Sequence, residues 1–520
     1  MKDIWQRNSA LLKLTGLIGI LLFAFWVGMD PHWESEYPMH VDEWDAMGFT
    51  DAMLEEGKLT YDSPYNSEGE ISYGSGMGFH LLLGSIKSTS GLSWMGLYRI
   101  APGIVVALLA YLVYALGRRE GFGWISALFV PLIPTSIRTL GPSFLVPVAI
   151  AMLFIPVTLL VLHRLDVKRN RESLWLLMLL VCGTLFVHPA TEGVVSAMVV
   201  LYLIVYILEA LSTKEYRNAG KLVVAIAVRM AIPVILLGLW MPSITKNTVE
   251  ESITGDSEGI GGGLTEYFGY NEGFIEAFGL IAVGLFFVGI FIYTLSRPYG
   301  MRSYIIPIFV VLLVLFLMIV YPEYRLGPGI FYERAWSYLG LFMAILAGYA
   351  VWWYIKSVIR RLKSYDTYSA VGGLRILLII LGFGIAVTAI TTGITNQERD
   401  NYAAYYQMVG EKIHSDFTWL GKHTERGEGT LMMEPSLAWA YPPITGPGYK
   451  VTIAAAFPFE DKMADQASNM IVTGDYDIDW LKKHDVAAVY TRLPQSQQLM
   501  TANNNDFIEV KPGIYIVPGS

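Results

Sequence analysis

Stretches of about 20 apolar residues, separated by short polar turns, fill the first three quarters of the chain. Eleven can be marked, at 10–28, 97–116, 121–136, 142–163, 173–188, 191–211, 221–240, 275–296, 303–321, 334–354 and 374–394. Twenty helical residues rise about 30 Å, the thickness of a bilayer's hydrocarbon core. The pattern therefore predicts a polytopic α-helical membrane protein with about eleven transmembrane helices. The apolar run Phe79–Ile86 is too short to cross. Beyond 394 the period changes. Thr430–Met433, Val451–Ala455 and Val486–Thr491 read as strands, Asp477–His484 as a helix, and Phe507–Val517 as a closing hairpin around Pro512-Gly513. Residues 1–394 are thus expected to form a transmembrane domain and 395–520 a soluble α/β domain. No internal repeat is visible, which weighs against a transporter built from repeated halves.

Composition agrees with a membrane protein. Of 520 residues 54% are hydrophobic and 16% charged, against about 25% charged in an average soluble domain. Basic residues orient the spans. With a cytoplasmic N-terminus, inner turns hold Arg118 and Arg119, Arg164 to Arg171, Lys214 to Lys221, Arg297 and Arg302, and Lys356 to Arg375. The outer segments up to the last span hold Lys58, Lys87, Arg99, Arg138, Lys246, Arg325 and Arg334. The bias follows the positive-inside rule and predicts a multi-pass protein of the cell membrane with its C-terminal domain extracytoplasmic. Leu11 to Val27 is followed by no A-x-A-like site and reads as a retained anchor. The outer face then carries a first loop, 29–96, a second, 241–274, and the tail.

Several functions are excluded. A net charge of −8 disfavours nucleic acid as a partner. Cys182 has no second cysteine to pair with. The inner loops are short and carry neither a P-loop nor a G-x-G-x-x-G after a strand. An ATP-driven pump in one chain, or a cytoplasmic nucleotide-sugar domain, does not fit.

The chemistry concentrates outside. The first loop contains His40-Val41-Asp42-Glu43-Trp44-Asp45 at the start of an expected helix ending at Gly57. In one reading Asp42 caps the helix, Asp45 completes a capping box, and the remaining acids are solvated. In another, Asp42 and Asp45 at i and i+3 share a face. With Glu43 they could then hold a hard cation such as Mg²⁺ or Mn²⁺, or one could act as a general base. At the outer turn between two later spans, His188-Pro189-Ala190-Thr191-Glu192 places ionisable groups near membrane depth, where they often mark a site. His188 and Glu192 are either auxiliary site residues or parts of a capped turn. Arg138, Arg325 and Arg334 are outer cations suited to phosphate, or to pairing with neighbours such as Glu323 and Glu333. The Gly- and Glu-rich second loop reads as a lid or as a disordered loop.

These features together resemble the GT-C superfamily of membrane glycosyltransferases. Glu43-Trp44-Asp45 is similar to the Glu-Phe-Asp start of oligosaccharyltransferase catalytic subunits. Tyr73-Gly74-Ser75-Gly76-Met77-Gly78-Phe79-His80 resembles the Tyr-Pro-x-Gly-x-His stretch before the second span, and adds His80 as an auxiliary residue. Phe331-Tyr332-Glu333-Arg334-Ala335-Trp336 resembles the segment whose arginine contacts the donor phosphate. The resemblance covers most of the chain. It implies a polyprenyl-phosphate-linked sugar donor, a glycan, lipid or protein acceptor, and membrane lipids as surroundings. Two departures stand out. The tail has Leu437-Ala438-Trp439-Ala440-Tyr441 in place of Trp-Trp-Asp-Tyr-Gly, and the turn 136–143 has no acid. The first argues against asparagine glycosylation, the second against a full metal site.

The expected function is an inverting sugar transfer on the outer face. Asp42 or Asp45, with Glu43 beside them, would serve as the acidic base. Arg334, Arg325 and Arg138 would bind donor phosphate. A non-enzymatic lipid or glycan transporter or flippase is the first alternative. An O-antigen-ligase-like enzyme using outer Arg and His residues is the second.

Overall fold

A computed structural model describes residues 2–33, 35–62, 65, 70–72, 76–133, 141–165, 171–214, 220–229, 231, 235, 274–324, 326, 329–363, 370–395, 408–423, 429–446, 450–452, 462–503 and 506–518. Among them, seven helices are long and apolar enough to cross a membrane: Lys13–Trp33, Trp94–Gly117, Pro147–Arg164, Pro189–Thr213, Gly300–Tyr324, Phe331–Arg360 and Gly373–Thr395. Three shorter apolar helices, Gly123–Leu132, Glu172–Val187 and Leu280–Ser296, fall on three more of the expected spans. The remaining one, 221–240, is helical over 221–229, and most of its residues beyond 229 lie outside the described ones. Phe79–Ile86 belongs to the 14-residue helix Met77–Ser90.

The chain separates into two compact units. The first comprises Met1–Pro31, Gly74–Phe79 and Ile100–Arg399. Its axis is the helix Gly329–Lys363, in which Leu339 and Leu341 to Ala347 are wholly buried. The helices Leu280–Ser296, Gly123–Leu128 and Ala370–Thr395 pack on it. Lipid tails are as apolar as leucine, so close backbone approach drives such packing. A Cβ on Gly289 would sit 2.1 Å from the Leu346 carbonyl oxygen, and one on Gly348 2.4 Å from the Ser126 Cα. The Ser126 hydroxyl donates to the Ile345 carbonyl at 2.9 Å, satisfying a polar group where water is absent.

The second unit comprises His32–Tyr73, His80–Arg99 and Asp400–Ser520. Its five-stranded sheet is built from β3 (Thr430–Met433), β4 (Lys450–Thr452), β5 (Val486–Tyr490), β6 (Ile508–Lys511) and β7 (Ile514–Ile516). The earlier β1 (Thr60–Asp62) and β2 (Glu70–Ser72) form a separate antiparallel pair. The sheet order is β4-β3-β5-β7-β6. β3 pairs in parallel with both β4 and β5, whereas β7 runs antiparallel to β5 and β6. Gly513, at φ 85°, permits the tight β6–β7 turn. The expected helix is Ile478–Lys483, with Asp477 as its N-cap. Met432, Ile471, Leu481, Val486 and Val489 form the core under the sheet.

Tyr65 joins the segment that follows the first span to the tail within this unit. Its ring packs edge-on against Phe49 and at 4.6 Å from Trp439. Its hydroxyl donates to the Trp439 carbonyl at 3.0 Å. Gly48 is required beneath it, because a Cβ there would lie 2.0 Å from the Tyr65 hydroxyl oxygen.

Candidate functional site

The acid-bearing helix is Val41–Glu56. Its cap differs from the one expected at Asp42. His40 is the N-cap, its Nδ1 accepting from the Asp42 amide at 3.0 Å. Glu43 closes the capping box, with Oε2 accepting from the Met39 amide at 2.8 Å and the His40 amide at 3.2 Å. His40 thus satisfies the first-turn amide of Asp42, and Glu43 the two amides just before the helix, so the capping roles fall to these two residues and not to Asp42 or Asp45. Glu43 is fully buried, with Oε1 3.8 Å from His32 Nε2. At the other end Gly57, at φ 61°, donates to the Met53 carbonyl and stops the helix.

Asp42 is more open, its side chain 40% exposed with Oδ1 3.4 Å from His40 Nδ1. Asp45, one turn on, is different. Its Oδ1 is buried and has no hydrogen-bond partner among the described residues. Burial first, and then the charge of Asp42, hold its carboxyl well above the usual aspartate range. A carboxylate of raised pKa with an uncommitted oxygen is a better proton acceptor than an ordinary surface aspartate.

Neighbouring side chains of the same unit frame this helix. The Thr50 hydroxyl donates to the Ala46 carbonyl at 2.6 Å and lies 3.0 Å from His80 Nδ1. Burial lowers the His80 pKa to about 4, so the ring is neutral at physiological pH. Trp94 Nε1 donates to Asp51 Oδ2 at 2.6 Å. Burial raises the Asp51 carboxyl to about 6, against the opposing effects of the Trp94 bond and Lys87. Tyr98, one turn beyond Trp94, is 1% exposed.

A second cluster forms in the transmembrane unit. His188 caps Pro189–Thr213, its Nδ1 accepting from the Thr191 amide at 3.2 Å and lying 2.9 Å from the Thr191 hydroxyl. That hydroxyl is 2.7 Å from the Tyr338 hydroxyl. Arg334, one turn before Tyr338 and 9% exposed, lies within electrostatic reach of both His188 and Tyr338. A buried guanidinium beside neutral hydrogen-bonding groups is suited to an incoming anion. Glu192 accepts from the Ser196 hydroxyl.

The structure thus groups Asp42, Glu43, Asp45 and His80 in one unit and His188, Glu192 and Arg334 in the other. Arg138, Arg325 and residues 241–273 lie outside the described residues. Sequence reasoning missed His40 as the cap and the Thr191–Tyr338 pair. Only His40 carried a local signal, standing three residues before Glu43. Among the described residues no three His, Cys, Asp or Glu side chains converge as a metal site. Asp42 and Asp45 would offer two ligands, and the turn 134–140 is not among the described residues.

The fold, a multi-pass helical bundle with a small C-terminal sheet, resembles that of solved GT-C membrane proteins. Over 96% of this chain and 72% of the other, it aligns with the Archaeoglobus fulgidus oligosaccharyltransferase in complex with zinc and sulfate, at TM-score 0.59 and 11% identity. ArnT from Cupriavidus metallidurans bound to undecaprenyl phosphate aligns over 97% of both chains at TM-score 0.58 and 12% identity. Its apo form aligns over 98% of both at 0.55 and 13%. In sequence, the profile of DUF6541, a family of unknown function, matches residues 78–427, and the chain belongs to that family. The matched span includes His80, His188, Glu192 and Arg334 and begins after Asp45. No curated protein sequence matches the chain.

Proposed function

We propose that the protein is an integral membrane glycosyltransferase that moves a sugar from a polyprenyl-phosphate donor to an acceptor on the extracytoplasmic face. The observation that carries this reading is the buried Oδ1 of Asp45, which has no hydrogen-bond partner among the described residues and sits on a helix that other residues cap. In a single displacement the acceptor's nucleophilic atom bonds to the sugar's anomeric carbon as the carbon–oxygen bond to phosphate breaks. The configuration inverts. Asp45 takes the nucleophile's proton, and Asp42 sustains the raised basicity by its charge. Arg334 stabilises the departing lipid phosphate, with His188 and Tyr338 beside it as neutral hydrogen-bonding partners. One fold relative holds undecaprenyl phosphate, chemically what such a donor becomes once its sugar has left. The basic inner turns support an N-terminus inside and a C-terminal domain, 395–520, outside. Were a divalent ion bound, Asp42 and Asp45 would supply two of its ligands.

Asp45→Asn tests the assignment. The amide is nearly isosteric but takes no proton, so transfer from undecaprenyl-phosphate-linked sugars should fall about 10²-fold or more in a protein that still folds and inserts. Turnover close to wild type would refute the base. The Arg334–His188 cluster favours a second reading, an O-antigen-ligase-like enzyme without an acidic base. In that case Arg334→Gln abolishes transfer while Asp45→Asn spares it.

A further inference from the structure

Several helix ends meet at one place in the transmembrane unit, and Tyr299 fastens them. Its hydroxyl donates to the Leu116 carbonyl, at the end of Trp94–Gly117. Its ring stacks on His163 with centroids 4.1 Å apart, in the last turn of Phe154–Arg164. Its amide donates to Ser303 Oγ at 2.8 Å, within the 3₁₀ turn Gly300–Tyr304. Tyr299 itself lies just beyond the helix Leu280–Ser296. Each of these ends carries arginine: Arg118 and Arg119, Arg164, and Arg297 and Arg302. Over 116–120, 163–165 and 297–304 the sole acid is Glu120, 4.0 Å from Arg119.

Arg302 is half-buried at the centre of the junction. Its Nη1 donates to the His163 carbonyl at 3.0 Å, and its guanidinium lies 5.8 Å from the Tyr202 ring. That bond occupies one of five N–H donors. Arg118, Arg164 and Arg297 are exposed. Among the described residues none of these four pairs with a carboxylate. Gathering guanidinium groups without a counter-charge is unfavourable, and their planar forks suit phosphate oxygens. Beside the charges the same helices present apolar surface: Phe291 and Leu295 are 66% and 65% exposed. A ligand that matches both features carries a phosphate and an acyl chain.

We propose that this junction binds the phosphate of an anionic membrane phospholipid. The inference does not rest on the transferase reading, and the site is separate from the Arg334 cluster. The Tyr349 hydroxyl meets the Ser296 hydroxyl at 2.5 Å, which sets the level of this end on the helix Gly329–Lys363. Arg334 stands fifteen residues earlier, about 22 Å along the axis. Basic clusters between transmembrane helices at a membrane boundary recognise acidic headgroups in this way.

The test uses the full-length protein in detergent, with dioleoyl phosphatidylglycerol, dioleoyl phosphatidylcholine and inorganic phosphate as probes, read by native mass spectrometry. Wild type should retain phosphatidylglycerol about tenfold more tightly than phosphatidylcholine, and an equal concentration of inorganic phosphate should not displace it. Arg302→Gln and Arg164→Gln should each weaken phosphatidylglycerol binding by about tenfold, the usual effect of one lost charge-assisted bond. Arg164 is exposed, so its variant keeps the test intact if Arg302→Gln does not fold. Lys214→Gln, at an exposed basic turn about 18 Å beyond Tyr202 along the helix Pro189–Thr213, should leave binding unchanged. Equal retention of the two lipids, unchanged affinity in Arg164→Gln, or an equal loss in Lys214→Gln overturns the proposal, the last because the attraction would then be spread over the whole basic surface. Displacement by inorganic phosphate would overturn the lipid as ligand and make the junction a site for a free anion.

Discussion

Replacing Glu43 separates a structural carboxylate from a chemical one. Its Oε2 accepts from two amides, those of Met39 and His40, and the side chain is wholly buried. Hydrogen bonds to a charged acceptor contribute about 1.5–3 kcal/mol each. Glu43→Ala therefore removes about 3–6 kcal/mol from the start of the Val41–Glu56 helix. Glu43→Gln keeps an oxygen that can accept from both amides and loses the negative charge at the helix N-terminus, which is about 0.3–1 kcal/mol. Local opening is best read by hydrogen exchange on peptides spanning 37–57, because a single melting temperature is poorly defined for a chain of two units. At 1.4 kcal/mol per decade, Glu43→Ala should speed exchange there by about 10²- to 10⁴-fold and Glu43→Gln by less than about tenfold. Sugar transfer should survive in Glu43→Gln. If that variant keeps normal exchange but loses transfer, Glu43 takes part in the chemistry and its assignment as a cap is insufficient.

Other expectations follow from the same geometry. Gly289→Val would force a side chain onto the Leu346 carbonyl and should abolish monodisperse protein on size-exclusion chromatography, whereas Gly284→Ala, with nothing within 4 Å of its Cβ, should not. Burial raises the Asp51 pKa to about 6, so its stabilising contribution is complete below the unfolded value, about 4, and is lost as pH rises through 6. Asp51→Asn should flatten that part of the stability–pH curve measured by exchange of the same peptides. In a Cys182→Ser background, Lys58→Cys and Asp506→Cys should react with a membrane-impermeant maleimide in intact cells and Ser212→Cys only after permeabilisation. Protection of Lys58→Cys would reverse the orientation.

The apolar spans were legible in the chain because lipid imposes a one-dimensional rule: about 20 apolar residues, whatever their partners. The tail strands at Thr430–Met433 and Val486–Tyr490 and the helix behind Asp477 were legible through period and capping chemistry, which are local. The acidic motif was visible as residues and not as roles. Both Asp42 and His40 stand where a cap could be, and only the folded helix gives the cap to His40 and Glu43 and leaves Asp45 with an oxygen that has no hydrogen-bond partner among the described residues. Arg334 lies well over a hundred residues from His188. Such pairs carry no periodicity. Burial, the proximity of like charges and the absence of a hydrogen-bond partner are properties of packing, and packing between distant segments is what the linear pattern leaves undetermined.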